Sequence, residues 1–250
     1  MSEQFGKMLG QVSKMTPKLV TFDCAETMVR VPENWSIGTF AADCARHIGL
    51  DPSDADAKLY RSMYMARLPE FVQVNMARDE SRQKAFWDQL AIDWLHESGF
   101  GPESLHPMQE AAEELGFGPN SILFNLYDDV IPCLDQLDAL GIRAAVVSNW
   151  DYSLHRVLRM FGIYGRFVVV KASLEEGVEK PDPRLFEIAL TEAGFAPEDT
   201  FHVGDDQVDD LEGARAAGIR AVLIDRKLDQ TDRPKIRSLM DLPEAFAWID

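Results

Sequence analysis

The sequence predicts an α/β fold: a parallel sheet with helices on both faces, and an all-helical insertion after the first strand. Two observations indicate this. From residue 122 onward, short β-branched runs alternate with helical patterns, which is the order typical of a parallel sheet. Residues 33–120 break the alternation and contain amphipathic helical patterns without a convincing strand. The chain is therefore expected to build one sheet from segments on both sides of a helical insertion.

The candidate strands are short apolar runs that end in polar residues. They cover residues 19–23, 143–148, 167–170, 200–204 and 220–224. Helical patterns lie between these runs and cover 130–140, 152–161, 182–194 and 207–217. A glycine follows each helical pattern, where a C-terminal cap favours a positive φ: Gly141, Gly162, Gly194 and Gly218.

The insertion contains amphipathic segments near 36–48, 54–66, 82–98 and 103–115. The stretch LPEFVQVN, residues 68–75, has the β-branched content of a strand but lies among helical neighbours. We therefore expect a helical domain over residues 32–120 and a core of residues 16–31 and 121–250. Residues 1–15 form an N-terminal extension. The tryptophans of the insertion are expected in its core: Trp35, Trp87 and Trp94.

The composition of the chain indicates which binding partners and which cellular compartment to expect. The 250 residues carry a net charge of −17, which argues against binding to nucleic acid or to anionic membrane surfaces. No apolar run reaches the roughly 18–20 residues that span a bilayer, and the N-terminus lacks the apolar core of a signal peptide. Three widely spaced cysteines favour a reduced compartment: Cys24, Cys44 and Cys133. We expect a cytoplasmic monomer or homodimer.

Reactive side chains follow four of the predicted strands. They are Asp23, the pair Ser148-Asn149, Lys180 in a loop, and the acidic run that begins at Asp205. Ligands of open α/β sheets bind beyond the carboxyl ends of the strands, so these groups are expected to meet at one edge. These groups are suited to phosphoryl transfer, because they comprise a nucleophilic carboxylate, a hydroxyl, an ammonium group and acidic side chains that can bind a metal ion.

The motifs that contain these residues are FDCAET, VVSNWD, EKPDPRLFEIAL and HVGDDQVDDLEGARAAG. In this order they resemble the haloacid dehalogenase superfamily. The resemblance covers residues 16–31 and 121–250, while the insertion matches only by its position and helical character. It implies a Rossmann-like parallel sheet core with an inserted all-helical cap domain of the C1 type. Among subgroups, the chain is most similar to the haloacid dehalogenase-like hydrolase domain-containing protein 3 type, whose members also tend to lack the second acid discussed below.

The resemblance also implies roles for particular residues. Asp23 would attack phosphorus and form an aspartyl-phosphate that water hydrolyses. Magnesium would be held by Asp23, by the backbone carbonyl of Ala25 and by Asp205, with Asp210 acting through bound water.

The phosphate group would be held by Ser148 and by the backbone at Asn149, while Lys180 would neutralise both the phosphate and the nucleophile. Trp150 follows this pair and could line the substrate pocket. Two neighbouring acids, Asp206 and Asp209, are expected to be surface residues because the family pattern does not require them.

Alanine at position 25 makes the catalytic mechanism incomplete. In phosphatases of the family this position holds an aspartate that protonates the leaving group and then activates water. Glu26 could replace it through a water molecule, although a structural role for Glu26 is the simpler interpretation. Phosphonoacetaldehyde hydrolases also have alanine here and use a cap lysine, for which Lys58 and Lys84 are the candidates. Haloacid dehalogenases lack the second acid too, but they need no metal, and the intact VGDD argues against that activity.

We therefore expect a magnesium-dependent hydrolase of the phosphatase type that acts on a small phosphorylated metabolite, slowly because Ala25 cannot carry a proton. Two alternatives stay open. One is a catalytically degenerate member that binds a ligand or a partner protein. The other is a phosphonatase-like enzyme that cleaves a carbon–phosphorus bond.

Overall fold

The computed structural model describes residues 16–119, 121–229 and 234–248. The predicted N-terminal extension, residues 1–15, lies outside the described residues. The described chain divides into two compact units. Unit 1 contains residues 16–30, Leu126–Trp150, 161–229 and 234–248, and unit 2 contains residues 31–119, 121–125 and Asp151–Met160.

A parallel sheet forms the centre of unit 1, as predicted. In the described part of the chain its six strands are β1 (Leu19–Phe22), β4 (Arg143–Ser148), β5 (Phe167–Ala172), β6 (Thr200–Gly204), β7 (Arg220–Ile224) and β8 (Lys235–Ile236). Their order in the sheet is β5-β4-β1-β6-β7-β8. Two short strands, β2 (Val29–Arg30) and β3 (Asn125–Leu126), form a separate two-stranded sheet.

Helices pack on this sheet and bury its apolar side chains. The helices of unit 1 are Val130–Ala139, Ser173–Glu176, Pro183–Ala193, a π-helical turn Gln207–Glu212, Gly213–Ala216 and Leu242–Ala245. Leu185 and Phe186 on the third of these helices are fully buried in one cluster with Leu19 and Val147 of the sheet. Each glycine predicted to end a helix has a positive φ, between 69° and 77°.

Unit 2 is helical. Its helices are Ile37–His47, Asp54–Ala66, Leu68–Met76, Glu80–Glu97, Leu105–Phe117 and Ser153–Met160. LPEFVQVN is thus a helix, and Phe71 within it packs its ring 5.0 Å from that of Phe86. Trp94 is fully buried and Trp87 half-buried, as expected of core residues. The expectation for Trp35 was wrong, because 42% of this residue is exposed.

Residues Asp151–Met160 belong to unit 2, whereas the sequence analysis places them in the core domain. Hydrogen bonds explain the grouping. The backbone N–H of Tyr152 donates to Asn75 Oδ1 at 3.0 Å, and the Tyr152 hydroxyl accepts from Trp87 Nε1 at 3.0 Å. The predicted domain boundaries themselves stay a prediction. Among the residues that the structure describes, no helix has both the length and the apolarity that crossing a bilayer would require.

Candidate active site

The candidate nucleophile, Asp23, directly follows the central strand of the sheet. β1 lies between β4 and β6, with Phe22 opposite Val146 on one side and Val203 on the other. The backbone N–H of Asp23 continues this pairing and donates to Val203 O at 2.9 Å. Because these strands are parallel, their polar carboxyl ends lie at the same edge, and the side chain of Asp23 is buried there.

Lys180 lies between two buried carboxylates. Its Nζ is 2.7 Å from Asp23 Oδ1 and 2.5 Å from Asp210 Oδ1. Burial lowers the pKa of a lysine, but the charges of both carboxylates outweigh it here, so the pKa of Lys180 lies above its ordinary value. Burial also raises the pKa of Asp23, against the opposing charge of Lys180. The ammonium group therefore stays charged and holds the Asp23 carboxylate in place.

Asp210 accepts further hydrogen bonds from unit 1. His202 on β6 is fully buried, with Nε2 at 3.2 Å from Asp210 Oδ1 and Nδ1 at 2.9 Å from Thr21 Oγ1. The backbone N–H of Asp206 donates to Asp210 Oδ2 at 2.9 Å. Burial acts to raise the pKa of Asp210, but the hydrogen bond from His202 and the charge of Lys180 hold it well below its ordinary value. An ionised Asp210 can only accept, so Nε2 of His202 donates to it.

Asp205 completes a group of three acids. Carboxylate oxygens of Asp23, Asp205 and Asp210 all lie within 4.8 Å of one another. Asp205 is exposed on one side, yet partial desolvation together with the negative charges of the other two raises its pKa to about 7. Gly204 permits this crowding, since a Cβ atom there would lie 2.1 Å from Asp210 Cγ. Three mutually repelling oxygen donors fit the preference of a hard divalent cation such as Mg²⁺.

The pair after β4 is also in this site. Ser148 is buried and its Oγ donates to Asp23 Oδ1 at 2.9 Å. The Asn149 side chain binds the Lys180 backbone: its Oδ1 accepts from Lys180 N at 2.8 Å, and its Nδ2 donates to Lys180 O at 3.0 Å. The same Nδ2 lies 3.1 Å from Asp209 Oδ2, so Asp209 has a partner in the site and is not merely a surface acid. Asp206, by contrast, is exposed and caps the π-helical turn.

The structure brings together Asp23, Ser148, Asn149, Lys180, Asp205 and Asp210, all of which were named from the sequence. The Ala25 carbonyl accepts from Thr27 N at 2.5 Å, and its role towards a metal stays a prediction. Trp150 is half-buried, and its role in substrate binding stays a prediction as well. Burial, followed by the charge of Asp23, raises the pKa of the Cys24 thiol well above its ordinary value, so this buried thiol stays protonated at neutral pH.

Sequence reasoning did not predict the contributions of His202 and of the Asn149 side chain. The sequence did contain a signal for these contacts: His202, Thr21 and Asp210 are polar residues in otherwise apolar segments that are expected to be buried. A buried polar side chain needs a hydrogen-bond partner, and two such side chains on neighbouring strands can be partners of each other.

Comparisons with known proteins identify the family to which the chain is similar. The sequence model of a family described as haloacid dehalogenase-like hydrolase matches residues 17–218. A phosphoserine phosphatase from Thermus thermophilus is 36% identical over 165 residues, which is 64% of each chain. The haloacid dehalogenase-like hydrolase domain-containing protein 3 of Danio rerio is 29% identical over 232 residues, 90% of this chain and 94% of the relative.

The fold has solved counterparts. The crystal structure of a 2-haloacid dehalogenase from Pseudomonas syringae matches with a TM-score of 0.65 over 93% of this chain and 99% of that chain. At 24% sequence identity this match shows the shared fold alone. A parallel sheet with an inserted helical unit is therefore an architecture that other proteins also adopt.

Proposed function

Because the chain belongs to the haloacid dehalogenase-like hydrolase family, we propose that it is a magnesium-dependent phosphatase that acts on a small phosphorylated metabolite. One observation carries the proposal: the buried Asp23 carboxylate is held by Lys180 and Ser148 beside two further acids. That arrangement gives the nucleophile a fixed direction and a place for a cation. The similarity to a phosphoserine phosphatase supports a phosphate ester as the substrate.

The proposed reaction has two steps. A carboxylate oxygen of Asp23 attacks phosphorus, the ester P–O bond breaks, and the alcohol leaves with a proton taken from water or solvent. Water then attacks the phosphorus of the aspartyl-phosphate, which releases inorganic phosphate and restores the Asp23 carboxylate. Lys180 and Ser148 contact Asp23 and would hold the transferring group during both steps.

Asp23 and Asp205 would hold the magnesium ion together with the Ala25 carbonyl, and Asp210 would orient bound water. When bound, magnesium supplies positive charge that stabilises the phosphoryl oxygens in the transition state. The ion would also offset the mutual repulsion of the three acids, which is the physical reason for expecting it here.

Ala25 makes the proposed enzyme slow. No side chain at this position can protonate the leaving group or activate water, and a missing general acid/base typically costs about 10²–10⁴-fold in rate. That loss corresponds to roughly 3–5 kcal/mol of activation free energy. Substrates with good leaving groups should be least affected in the first step.

A second candidate function is ligand or partner binding without turnover, and Ala25 is the observation that favours it. The phosphonatase-like alternative receives less support. Its Schiff-base mechanism needs a lysine whose pKa is lowered, and burial of the ammonium group is one way to lower that pKa. Both candidates, Lys58 and Lys84, are exposed, and Lys84 Nζ lies 2.5 Å from Asp88 Oδ2.

Phosphate release from a panel of aryl phosphates and alkyl phosphates, phosphoserine among them, tests the proposal. The wild type should release phosphate only with Mg²⁺, and Asp23→Asn should release none. Asp206→Asn is the matched control, since Asp206 is an exposed neighbour of the acids and asparagine also caps helices. Intact-mass spectrometry after acetyl phosphate should find a phosphoryl adduct on the wild type and not on Asp23→Asn. If the protein binds Mg²⁺ but shows neither turnover nor adduct, the phosphatase proposal fails and the binding function leads.

A further inference from the structure

The turn that follows the nucleophile has an unusual backbone. Glu26 has a φ of +52°, a left-handed conformation that costs a residue with a side chain roughly 1–2 kcal/mol. Backbone hydrogen bonds on each side close the turn: Glu26 N donates to Val29 O at 2.8 Å, and Thr27 N donates to Ala25 O at 2.5 Å. The backbone conformation of Glu26 therefore sets the orientation of the neighbouring Ala25 carbonyl group.

Two residues from distant parts of unit 1 hold this turn. Tyr127 Oη donates to Glu26 Oε2 at 2.9 Å. Arg226 donates from Nε to Glu26 O at 3.3 Å and from its terminal nitrogen to Thr27 O. The Arg226 guanidinium also lies 3.6 Å from the centroid of the Tyr127 ring, and that of Arg30 lies 4.8 Å from it. Glu26, Tyr127 and Arg226 thus contact one another, and we call them the turn clasp.

The clasp is itself anchored. Arg226 Nη1 lies 3.0 Å from Asp129 Oδ2, and both side chains are largely buried. The same carboxylate oxygen accepts from Ser238 Oγ at 2.8 Å and from Leu239 N at 2.9 Å. Burial acts to raise the pKa of Asp129, but these donors hold it below its ordinary value, so Asp129 stays ionised and keeps Arg226 in one orientation. A fixed arginine with planar donors can hold two carbonyl oxygens at once.

We propose that Arg226 and Tyr127 are positioning residues that fix the turn after Asp23 for metal binding, and that Glu26 serves there as a hydrogen-bond acceptor and not as a substitute for the missing acid. The metal-binding part of this proposal rests on the proposed function. The geometry supports the acceptor role, because Glu26 Oε2 already receives the phenol proton of Tyr127. The pKa of Tyr127 is raised by burial and by Glu26, so the phenol keeps that proton at neutral pH.

Magnesium affinity measured by calorimetry, without substrate, tests the positioning role. Arg226→Met keeps the aliphatic stem but removes all the hydrogen bonds of the guanidinium, and should weaken Mg²⁺ binding by about 10-fold or more, as residues that orient a metal ligand do. Tyr127→Phe keeps the ring under Arg226 and should weaken binding less. Arg184→Met is the control, since Arg184 is exposed and pairs only locally with Asp182. Unchanged affinity in Arg226→Met, with a folded protein by circular dichroism, would overturn the role. If Arg226→Met does not fold, Arg226→Lys and Tyr127→Phe give the same comparison.

Phosphatase kinetics test the role of Glu26. Glu26→Gln keeps an acceptor oxygen for Tyr127, so any fall in kcat should stay far below the about 10²–10⁴-fold loss of a general acid or base, and both limbs of the pH–rate profile should remain. In Arg226→Met the lost activity should return as the Mg²⁺ concentration is raised to saturation. If part of the variant were simply unfolded, a higher Mg²⁺ concentration would not restore its activity. If kcat of Glu26→Gln fell by about 100-fold and one limb of its pH–rate profile disappeared, Glu26 would be the proton carrier. A wild type without phosphatase activity refutes the proposed function, while the calorimetric comparison still decides whether the clasp positions the metal site.

Discussion

The side-chain amide of Asn149 pairs with both backbone groups of Lys180, accepting from its N–H and donating to its C=O. The pairing resembles the hydrogen bonding of two strands, but it joins one side chain to one loop residue. It determines where the ammonium group of Lys180 lies, and thereby where the carboxylates of Asp23 and Asp210 are held. The position of Lys180 thus depends on the residue that follows Ser148 in the chain.

Replacing Asn149 by alanine should loosen Lys180. The Lys180 backbone groups would lose their partners, which costs about 1–3 kcal/mol for buried groups, and a displaced ammonium group should lower kcat by about 10-fold or more. Urea unfolding and steady-state kinetics measure the two effects. Asn149→Asp keeps the acceptor but loses the donor and faces Asp209, so it should be the more damaging variant at neutral pH. An Asn149→Ala enzyme with wild-type kcat would refute the positioning of Lys180 by this amide.

Removing the Lys180 charge should destabilise the protein strongly. Lys180→Met leaves two buried carboxylates facing each other, and breaking such a buried arrangement costs roughly 3–5 kcal/mol. Mg²⁺ should recover part of the loss in thermal unfolding, since it replaces the missing charge. Lys171→Met is the matched control, since Lys171 is also buried and pairs with Glu176 and Glu192. Glu192 is 58% exposed, so water can solvate its carboxylate after the lysine charge is removed, and this variant should be destabilised less. A smaller destabilisation by Lys180→Met than by Lys171→Met would contradict this account.

Asp205 should make magnesium binding depend on pH. Its pKa in the folded protein is about 7 and its ordinary value is 3.8, so between these values the metal-free folded protein holds a proton that the unfolded chain has released. Raising the pH through that window should therefore lower the free energy of unfolding of the metal-free protein. Mg²⁺ needs the ionised carboxylate, so its affinity should rise as pH increases from 6 to about 7 and then level off.

Calorimetry in buffers of different ionisation enthalpy should detect the proton that Mg²⁺ displaces near pH 6. Asp205→Asn should lose both this proton release and the corresponding part of the pH dependence of stability. In a chelator the wild type should stay folded, because the apolar cluster of unit 1 contains none of the residues that would hold the metal. Unfolding by chelation alone would show that the metal is structural.

Restoring the missing acid should restore activity. Ala25→Asp should raise the magnesium-dependent hydrolysis of an aryl phosphate by at least about 10-fold, a fraction of what a full general acid/base contributes. The gain should be larger for alkyl phosphates, whose leaving groups need the proton more. Asp23→Asn should abolish activity in both backgrounds, because an amide is not a nucleophile. Should Ala25→Asp with Glu26→Gly bind Mg²⁺ and yet hydrolyse no phosphate ester, the phosphatase proposal would be wrong.

The main elements of the fold follow from the sequence because apolar periodicity is a local property. The five strands predicted for the core all form, and four glycines end helices as predicted. The two-residue strands β2, β3 and β8 could not be predicted, since two residues have no periodicity. LPEFVQVN is a helix in spite of its β-branched residues because Phe71 and Asn75, one helical turn apart, are both fully buried.

The site residues could be predicted where they end strands, because parallel strands bring their carboxyl ends together. Asp23, Ser148 and Asp205 needed only that argument. Tyr127 and Arg226 could not be found this way, because the turn clasp depends on which loops meet across the sheet edge, and no local pattern encodes that. The side chain of Asn149 was assigned no contact, since only the folded chain shows that it faces the Lys180 loop.

The position of β1 in the sheet has a consequence for biosynthesis. Its two neighbours, β4 and β6, begin at Arg143 and Thr200, so the ribosome must complete the whole of 31–125 before either strand exists. At about 5–20 residues per second, β1 emerges on the order of 10 s or more before β6 can pair with it. Both edges of this apolar strand stay open until β4 has been synthesised, and one edge stays open until β6 follows, so the strand is a template for aggregation during this time. The nascent chain should therefore need a chaperone at residues 19–22 more than at any later strand, and ribosome-bound chains that end before residue 200 should crosslink to one there.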